Sequence, residues 1–324
     1  MKYIVTGAAG LIGSALVWKL NQCGIDDILA VDHLGTSEKW KNLRALSYAD
    51  YMEKDVFMER LQAGELPNDT EVILHMGACS STTEKDATYL VHNNFEYTRR
   101  LAMYAVERGI QFLYASSAAT YGAGEQGYVD DESAIEKLRP LNMYGYSKQM
   151  FDLWARRNGL LDKITGVKYT NVFGPNELHK GEMRSVVCRA YEQIRDSGKV
   201  RLFRSYLPEY ADGEQKRDFI YVKDAVSMVM FLLRSNCHGI YNIGSGRAET
   251  WNALATAAFK AMDMPVNIEY IDMPEHLRGK YQYYTCADIS KIRAAGYSAE
   301  VAPLEETVGD YIRNYTSKGL FLGD

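Results

Sequence analysis

Three glycines spaced three residues apart, Gly7, Gly10 and Gly13, separate an apolar run, Tyr3–Thr6, from a stretch of helical period, Leu11–Gln22. That stretch puts Leu16, Val17 and Leu20 on one face. A strand that passes through glycines directly into a helix opens a parallel βαβ unit, which narrows the possible folds sharply. Gly7 permits the tight turn, Gly10 lets a ligand approach the backbone, and Gly13 lets helix and strand pack closely. The helix start adds unpaired N–H groups and a positive dipole end, a setting suited to a pyrophosphate. Asp32 follows the next apolar run, Ile28–Val31, 19 residues after Gly13, where a carboxylate reaches an adenosine ribose. These features predict a nicotinamide dinucleotide site. Asp32 alone favours NAD, because a carboxylate repels a 2′-phosphate. His33, Lys39 and Lys54 follow it, however, and a lysine folded over the ribose neutralises such a phosphate. On these residues NAD and NADP both remain open.

Apolar runs at Val72–Leu74, Phe112–Ala115 and Gly166–Val172 continue the series, with helical periods over Tyr89–Arg108 and Tyr144–Arg157. The pattern predicts an α/β fold with a Rossmann-type doubly wound parallel sheet, its ligand crevice beyond the carboxyl ends of the strands. After Asn171 the alternation becomes irregular. A loop over Gly174–Gly181, a helix over Val186–Asp196 and a polar loop over Ser205–Gln215 precede a strand, Arg217–Val222, and a helix, Ala225–Leu233. Gly244-Ser-Gly246 then leads into a helix, a strand over Asn267–Ile271 and two terminal helices. We therefore expect a dinucleotide-binding domain over 1–170 and 216–239. A smaller, discontinuous α/β substrate domain is expected over 171–215 and 240–324.

Lys and Arg total 37 against 42 Asp and Glu, a formal net charge of −5, which points to neither a nucleic-acid nor a membrane partner. The five cysteines form no CxxC pair and the six histidines no HExxH, so no metal site is expected. No apolar run approaches the roughly 20 residues that span a bilayer. Met1-Lys2 runs straight into the first strand, leaving no room for a signal peptide, and the expected compartment is the cytoplasm. The 24 tyrosines suit packing, and also sugar hydroxyls and nucleotide rings.

Tyr144 and Lys148 lie four residues apart, on one face of a helix. A phenol titrates near ~10 and is a poor base at neutral pH. A neighbouring ammonium, together with the positive nicotinamide ring, stabilises the phenolate and lowers that value, which is the role expected of Lys148. Upstream, the strand-like Phe112–Ala115 ends in Ser116-Ser117, and Ser117 is placed to hydrogen-bond a substrate hydroxyl or a developing carbonyl.

Together these residues closely resemble the extended short-chain dehydrogenase/reductase family over essentially the whole chain. Its sugar-nucleotide 4,6-dehydratases carry an acidic pair where this chain has Ala118 and Ala119, so dehydration is disfavoured and an epimerase or reductase remains. Within the family, the segments 77–84, 114–122, 141–148, 179–181 and 216–219 resemble the subfamily of ADP-L-glycero-D-manno-heptose 6-epimerases. The Cys79-Ser-Ser-Thr-Thr83 and His179-Lys-Gly181 segments discriminate best. The resemblance implies oxidation of the C6″ carbinol of an ADP-heptose by bound NADP and reduction from the opposite face, for lipopolysaccharide heptose synthesis. It implies Tyr144 and Lys180 as the two proton-transfer groups. Cofactor contacts are implied at Leu11, Ile12, Asp32, His33, Lys39, Lys54, Met76, Gly77, Ala78, Cys79, Ser80, Asn93, Tyr144, Lys148 and Val172. Substrate contacts are implied at Asn171, Phe203, Arg204, Ser205, Arg217 and Tyr281, and the partner is a nucleotide sugar. A homo-oligomer, specifically a homopentamer, is also implied. Two substrate-side positions depart from the familiar pattern: Glu182 replaces a small serine and Arg189 a histidine, and the 204–215 loop is longer. The alternative is another nucleotide-sugar epimerase or reductase of the same fold, such as a UDP-hexose 4-epimerase. A non-catalytic dinucleotide sensor is a third reading, and retention of the Tyr-Lys pair argues against it.

Overall fold

The computed structural model describes residues 1–278 and 281–324. In chain order the first half runs β1 (Tyr3–Thr6), α1 (Leu11–Gln22), β2 (Ile28–Asp32), β3 (Asp50–Glu53), α2 (Lys54–Ala63) and β4 (Val72–His75). A helical segment follows: α3 (Ala87–Leu90), a π-helical turn over Val91–Glu96, and α4 (Tyr97–Arg108). Then come β5 (Gln111–Ser117), α5 (Met143–Arg157) and β6 (Thr165–Tyr169). The rest contributes β7 (Asn171–Phe173), α6 (Val186–Ser197), β8 (Val200–Phe203), β9 (Lys216–Arg217) and β10 (Phe219–Tyr221). It continues with α7 (Val222–Arg234), β11 (Gly239–Ile243), β12 (Glu249–Thr250), α8 (Trp251–Ala261) and β13 (Ile268–Ile271), and ends in the short helices α9 (Glu275–Arg278), α10 (Ser290–Ala294) and α11 (Leu304–Asp310) with two further helical turns to Lys318.

Seven parallel strands form one sheet in the order β11-β6-β5-β4-β1-β2-β3. The chain winds outward in both directions from β1 and β4, so a crevice opens where those two strands end. The Rossmann-type sheet is as the sequence predicts. β3 and α2 were not legible there: Asp50-Tyr-Met-Glu is an edge strand with no buried residue, so it carries no apolar run. The apolar faces of the central strands, such as Ile28–Asp32, are fully buried, which is why these strands read as continuous apolar runs.

Two expected strands are each split in two. The run 166–172 breaks at Thr170, whose N–H bonds the Ile243 carbonyl at 3.0 Å. β6 therefore stays in the large sheet while β7 leaves it to pair with β10. The run 217–222 breaks at Asp218, a buried carboxylate that collects the N–H groups of Ser245 (2.7 Å), Ala287 (3.0 Å) and Gly246 (3.2 Å). β10 then serves two cores by its period of two: Ile220 joins the core under the large sheet, and Phe219 and Tyr221 join a second one with α6 and α8. The expected boundary at 239/240 needs correction. β11 crosses it and pairs with β6 along its whole length. Ile292, Tyr297 and Val301 likewise pack into the large-sheet core. Among the described residues no helix is long and apolar enough to cross a membrane.

His75 ends β4 beneath the crevice and is fully enclosed. Thr98 Oγ1 donates to the Asn94 carbonyl (2.5 Å), so it accepts from His75 Nε2 at 2.9 Å. His75 Nδ1 therefore accepts from the Thr6 hydroxyl at 2.6 Å, which in turn accepts from Gly77 N–H at 3.2 Å. The ring has no site for a second proton, and burial lowers its pKa to about 3, with Lys148 adding to the effect. The unfolded chain takes up that proton near its ordinary value of ~6.5 and the folded chain does not, so stability falls as pH drops from about 6.5 towards 3. His75→Gln should flatten the acid limb of the stability–pH curve by about 1.4 kcal/mol per pH unit, the slope of one proton. Urea unfolding from pH 4 to 7 measures this, and parallel curves for the two proteins would refute it.

Candidate active site

One cavity of about 820 Å³ lies over the carboxyl ends of β1, β2, β4, β5 and β6. That volume is within the range of small-molecule and cofactor sites. Its floor is the glycine turn. Gly7 has φ +66°, and a Cβ there would lie 2.7 Å from Gly77 N. A Cβ on Gly13 would lie 2.0 Å from the Gly7 carbonyl oxygen. Gly10 caps α1 with no side-chain cap, and the first turn contains no acid, so its N–H groups face the cavity uncompensated. These are the features a dinucleotide pyrophosphate requires.

At the far end of this cradle Asp32 is buried and already engaged. Its carboxylate accepts from Ala9 N–H (2.7 Å), His33 N–H (2.6 Å) and Lys39 Nζ (2.6 Å). Lys54 Nζ donates to Asn93 Oδ1 at 3.3 Å on the same wall, and the His33 ring bonds Glu53 at 2.8 Å. All the cofactor residues expected from the sequence line the cavity: Gly7, Gly10, Leu11, Ile12, Gly13, Asp32, His33, Lys39, Lys54, Met76–Ser80, Asn93, Lys148 and Val172. Asn94, which sequence reasoning missed, holds the Met76–Ser80 loop in place. Its amide spans Cys79 N–H (2.9 Å), the Cys79 carbonyl (3.0 Å) and Ser147 Oγ (3.0 Å). It projects from the π-helical turn, a local rewinding that neither composition nor period signals.

Tyr144, Lys148 and Ser117 meet on the cavity wall where β5 ends and α5 begins. Asn142 caps α5 through the Gly145 N–H (2.8 Å), which sets the first turn that carries Tyr144. Ser117 both caps the turn at Ala118–Tyr121, accepting from Ala119 N–H at 3.1 Å, and interacts with the Tyr144 phenol. Two effects of the chain's own side chains and packing act on the Tyr144 pKa. Burial is the larger effect and raises it, and the Ser117 hydroxyl is what favours the phenolate. The Lys148 ammonium is drawn to the Ala115 carbonyl at 2.8 Å, and burial lowers its pKa to about 8 against the pull of Asp152. Asp152 is itself saturated, accepting from Tyr114 (2.9 Å), Ser116 (2.7 Å) and the buried Lys168 (3.0 Å).

Lys180 lines the same cavity from the turn Leu178–Met183. Burial lowers its pKa, with Glu177 opposing. Glu177, also unforeseen, is completely buried and anchors the segment by accepting from Ser185 N–H (2.5 Å) and Ser185 Oγ (2.6 Å).

On the substrate side the expectations divide. Asn171, Arg189, Arg217 and Tyr281 line the cavity, while Glu182, Phe203, Arg204 and Ser205 lie outside its wall. Glu182 is exposed, and Arg204 turns to Asp212 at 3.3 Å. Ser205 N–H also bonds Asp212, at 2.8 Å, so the 204–215 loop folds on itself. Phe203 packs edge-on to Tyr281 behind the wall. Arg217 is buried, with its guanidinium 5.2 Å from the Tyr281 ring centre and 5.7 Å from that of Trp251. Trp251, Phe219 and Arg184 complete this wall and were not anticipated. Lys39, Lys54, Lys148, Lys180, Arg184, Arg189 and Arg217 thus face the cavity, against the single acid Asp32 among its described lining residues. A net-acidic chain has concentrated its positive charge where phosphates would sit.

Comparison with known proteins agrees with this geometry. Residues 3–244 match the family model described as the NAD dependent epimerase/dehydratase family. An ADP-L-glycero-D-manno-heptose-6-epimerase from Nitratidesulfovibrio vulgaris is 56% identical over 97% of both chains. The protein of that name from Fusobacterium nucleatum is 49% identical over 97% of this chain and 98% of its own. Among solved structures, the Helicobacter pylori ADP-L-glycero-D-manno-heptose-6-epimerase superposes with a TM-score of 0.81 at 23% identity, covering 97% of this chain and 95% of that one. Thermus thermophilus UDP-glucose 4-epimerase, solved as a complex with NAD, gives 0.76 at 23% identity over 98% and 100%. At that identity the structural likeness speaks for the fold.

Proposed function

The chain belongs to the NAD dependent epimerase/dehydratase family, and from that premise we propose that it interconverts ADP-D-glycero-β-D-manno-heptose and ADP-L-glycero-β-D-manno-heptose. The reaction is transient oxidation at C6″ followed by reduction from the other face. The observation that carries the reading is one cavity containing the Ser117-Tyr144-Lys148 group, a half-buried second lysine, Lys180, and a dinucleotide cradle. The relatives at 56% and 49% identity support the choice of sugar.

A nicotinamide dinucleotide held by the glycine turn supplies the reversible two-electron oxidation of carbinol to ketone. The side chains supply the protons. Burial keeps the Tyr144 phenol protonated and weakens the hold of Lys180 on its proton, so the two are matched as donor and acceptor. In one direction Lys180 accepts the carbinol proton, and after the ketone turns over Tyr144 donates one to its oxygen. In the reverse direction the roles exchange. Ser117 hydrogen-bonds the same oxygen, and Arg217, stacked between Trp251 and Tyr281, grips the diphosphate. Ala118 and Ala119 leave no acid or base at the end of β5 to expel water.

NADP is the dinucleotide this reading takes. Lys39 neutralises Asp32, the group that would repel a 2′-phosphate, and Lys54 stands on the same wall. Lys39→Ala should weaken NADP binding by about 10- to 100-fold, the worth of one hydrogen bond to a charged group, while NAD binding changes little. Equal losses for both dinucleotides in a fluorescence titration would overturn the choice of NADP.

Incubation with ADP-heptose and, separately, UDP-glucose tests the substrate. Conversion of the heptose alone is expected, and conversion of only UDP-glucose would establish a hexose 4-epimerase instead. Tyr144→Phe should lower kcat by about 10²- to 10⁴-fold, the range of a general acid–base group; an unchanged kcat would remove Tyr144 from the chemistry.

A further inference from the structure

Asn42 ends the short helix Glu38–Asn42 that carries Lys39, and it is almost completely buried. Its side-chain nitrogen lies 2.7 Å from the Ala9 carbonyl in the glycine turn, 2.9 Å from the Asn176 carbonyl and 3.2 Å from His179 Nδ1. Two carbonyl oxygens facing the same atom leave no choice of amide orientation, because only the NH₂ group can donate to both. Its two hydrogens serve these carbonyls, and the His179 ring, kept neutral because burial and the adjacent Lys180 and Lys39 lower its pKa to about 4, packs against the same nitrogen. One amide therefore joins three things: the turn that receives a pyrophosphate, the helix that carries Lys39, and the segment that presents Lys180. Asn176, next in the chain to Glu177, makes a second tie. It has φ +77°, its Nδ2 donates to Ser14 Oγ at 2.9 Å, and Ser14 in turn donates to the Gly10 carbonyl at 2.6 Å. Both ties run from the start of α1 to the 176–180 segment, across a break of more than 130 residues in sequence.

We infer that Asn42 is a positioning residue that fixes Lys180 relative to the dinucleotide cradle, so that the second proton-transfer group is set by the same turn that holds the cofactor. The inference rests on the reading of Lys180 given above. The physical reason for such a device is that Lys180 sits on a short turn containing a kink at Gly181 (φ +53°), where a Cβ would meet nothing within 4 Å. Glu177 ties the two ends of this turn to each other, so a contact from outside it is needed to fix the turn relative to the cradle, and a misplacement of about 1 Å can cost two orders of magnitude in rate.

A double-mutant cycle on the full chain tests this, with kcat for ADP-heptose epimerisation measured at saturating NADP. Asn42→Ala should lower kcat by about 10- to 100-fold while a thermal melt shows a folded protein. In a Lys180→Ala background the same substitution should cost less than about twofold, because an improperly held group that is already absent cannot be lost again. Asn42→Ser, which keeps one donor, should fall between the two and serves in place of Asn42→Ala if that variant does not fold. Multiplicative losses in the double mutant, or an undiminished kcat in both Asn42 variants, would overturn the inference while leaving Lys180 in place. If Lys180→Ala alone leaves kcat unchanged, the two-group reading itself fails, and the role of Asn42 falls with it.

Discussion

Where β1 and β4 end, two backbones pass with no room for a side chain between them. Gly7 lies so close to Gly77 that a methyl group would collide with the Gly77 backbone, and Gly13 lies closer still to Gly7. This contact decides what the rest of the cavity can be. It brings the start of α1 against the strand end, so that free N–H groups face the crevice. It also brings the Met76–Ser80 loop to the position where Asn94 ties it to α5, and α5 carries Tyr144 and Lys148. The Thr6–His75–Thr98 chain of hydrogen bonds runs directly beneath and has no spare donor or acceptor. A cradle for a dinucleotide and a platform for proton transfer are thus consequences of one close approach.

Charge placement follows the same economy. The buried carboxylates in and around the cavity are already committed: Asp32 to Lys39 and two N–H groups, Asp152 to Lys168, Tyr114 and Ser116, and Glu177 to Ser185. Cations are left facing the cavity. Burial then acts on Tyr144 and Lys180 in opposite directions, disfavouring charge on each. On the proposed reading, a phenol that keeps its proton and a lysine that holds its own weakly suit a reversible epimerisation, since one group must be loaded when the other is empty.

How much of this was readable in the residues depends on the range of the interaction. The glycine turn, Asp32 and the Tyr144–Lys148 pair are local patterns, and each lies where the strand and helix periods placed it. Asn42, Asn94 and Trp251 act through partners far away in sequence or through an unusual helical turn, and Glu177 acts within an irregular loop, so no periodic pattern marks any of them. The polar edge strand β3 escaped notice because it buries nothing. The substrate side was the least legible part. Phe203, Arg204 and Ser205 were assigned by resemblance to a shorter loop, and in this chain Asp212 draws that longer loop back on itself. Glu182 was assigned in the same way and points to solvent, while its neighbour Arg184 faces the cavity. The Tyr144–Lys148 spacing brings both side chains to the cavity wall, where the Lys148 ammonium also finds the Ala115 carbonyl, a partner that no local pattern marks.

The central claim is that inversion proceeds by oxidation and reduction at one carbon, with Tyr144 and Lys180 moving only oxygen-bound protons. Epimerisation to equilibrium in deuterium oxide, followed by mass spectrometry and proton NMR of the recovered ADP-heptose, tests it directly. The account predicts that C6″ keeps its original hydrogen, with no deuterium bound to carbon in either epimer. Incorporation of one deuterium at C6″ per inversion would mean that a base removes that proton to solvent, and would contradict it.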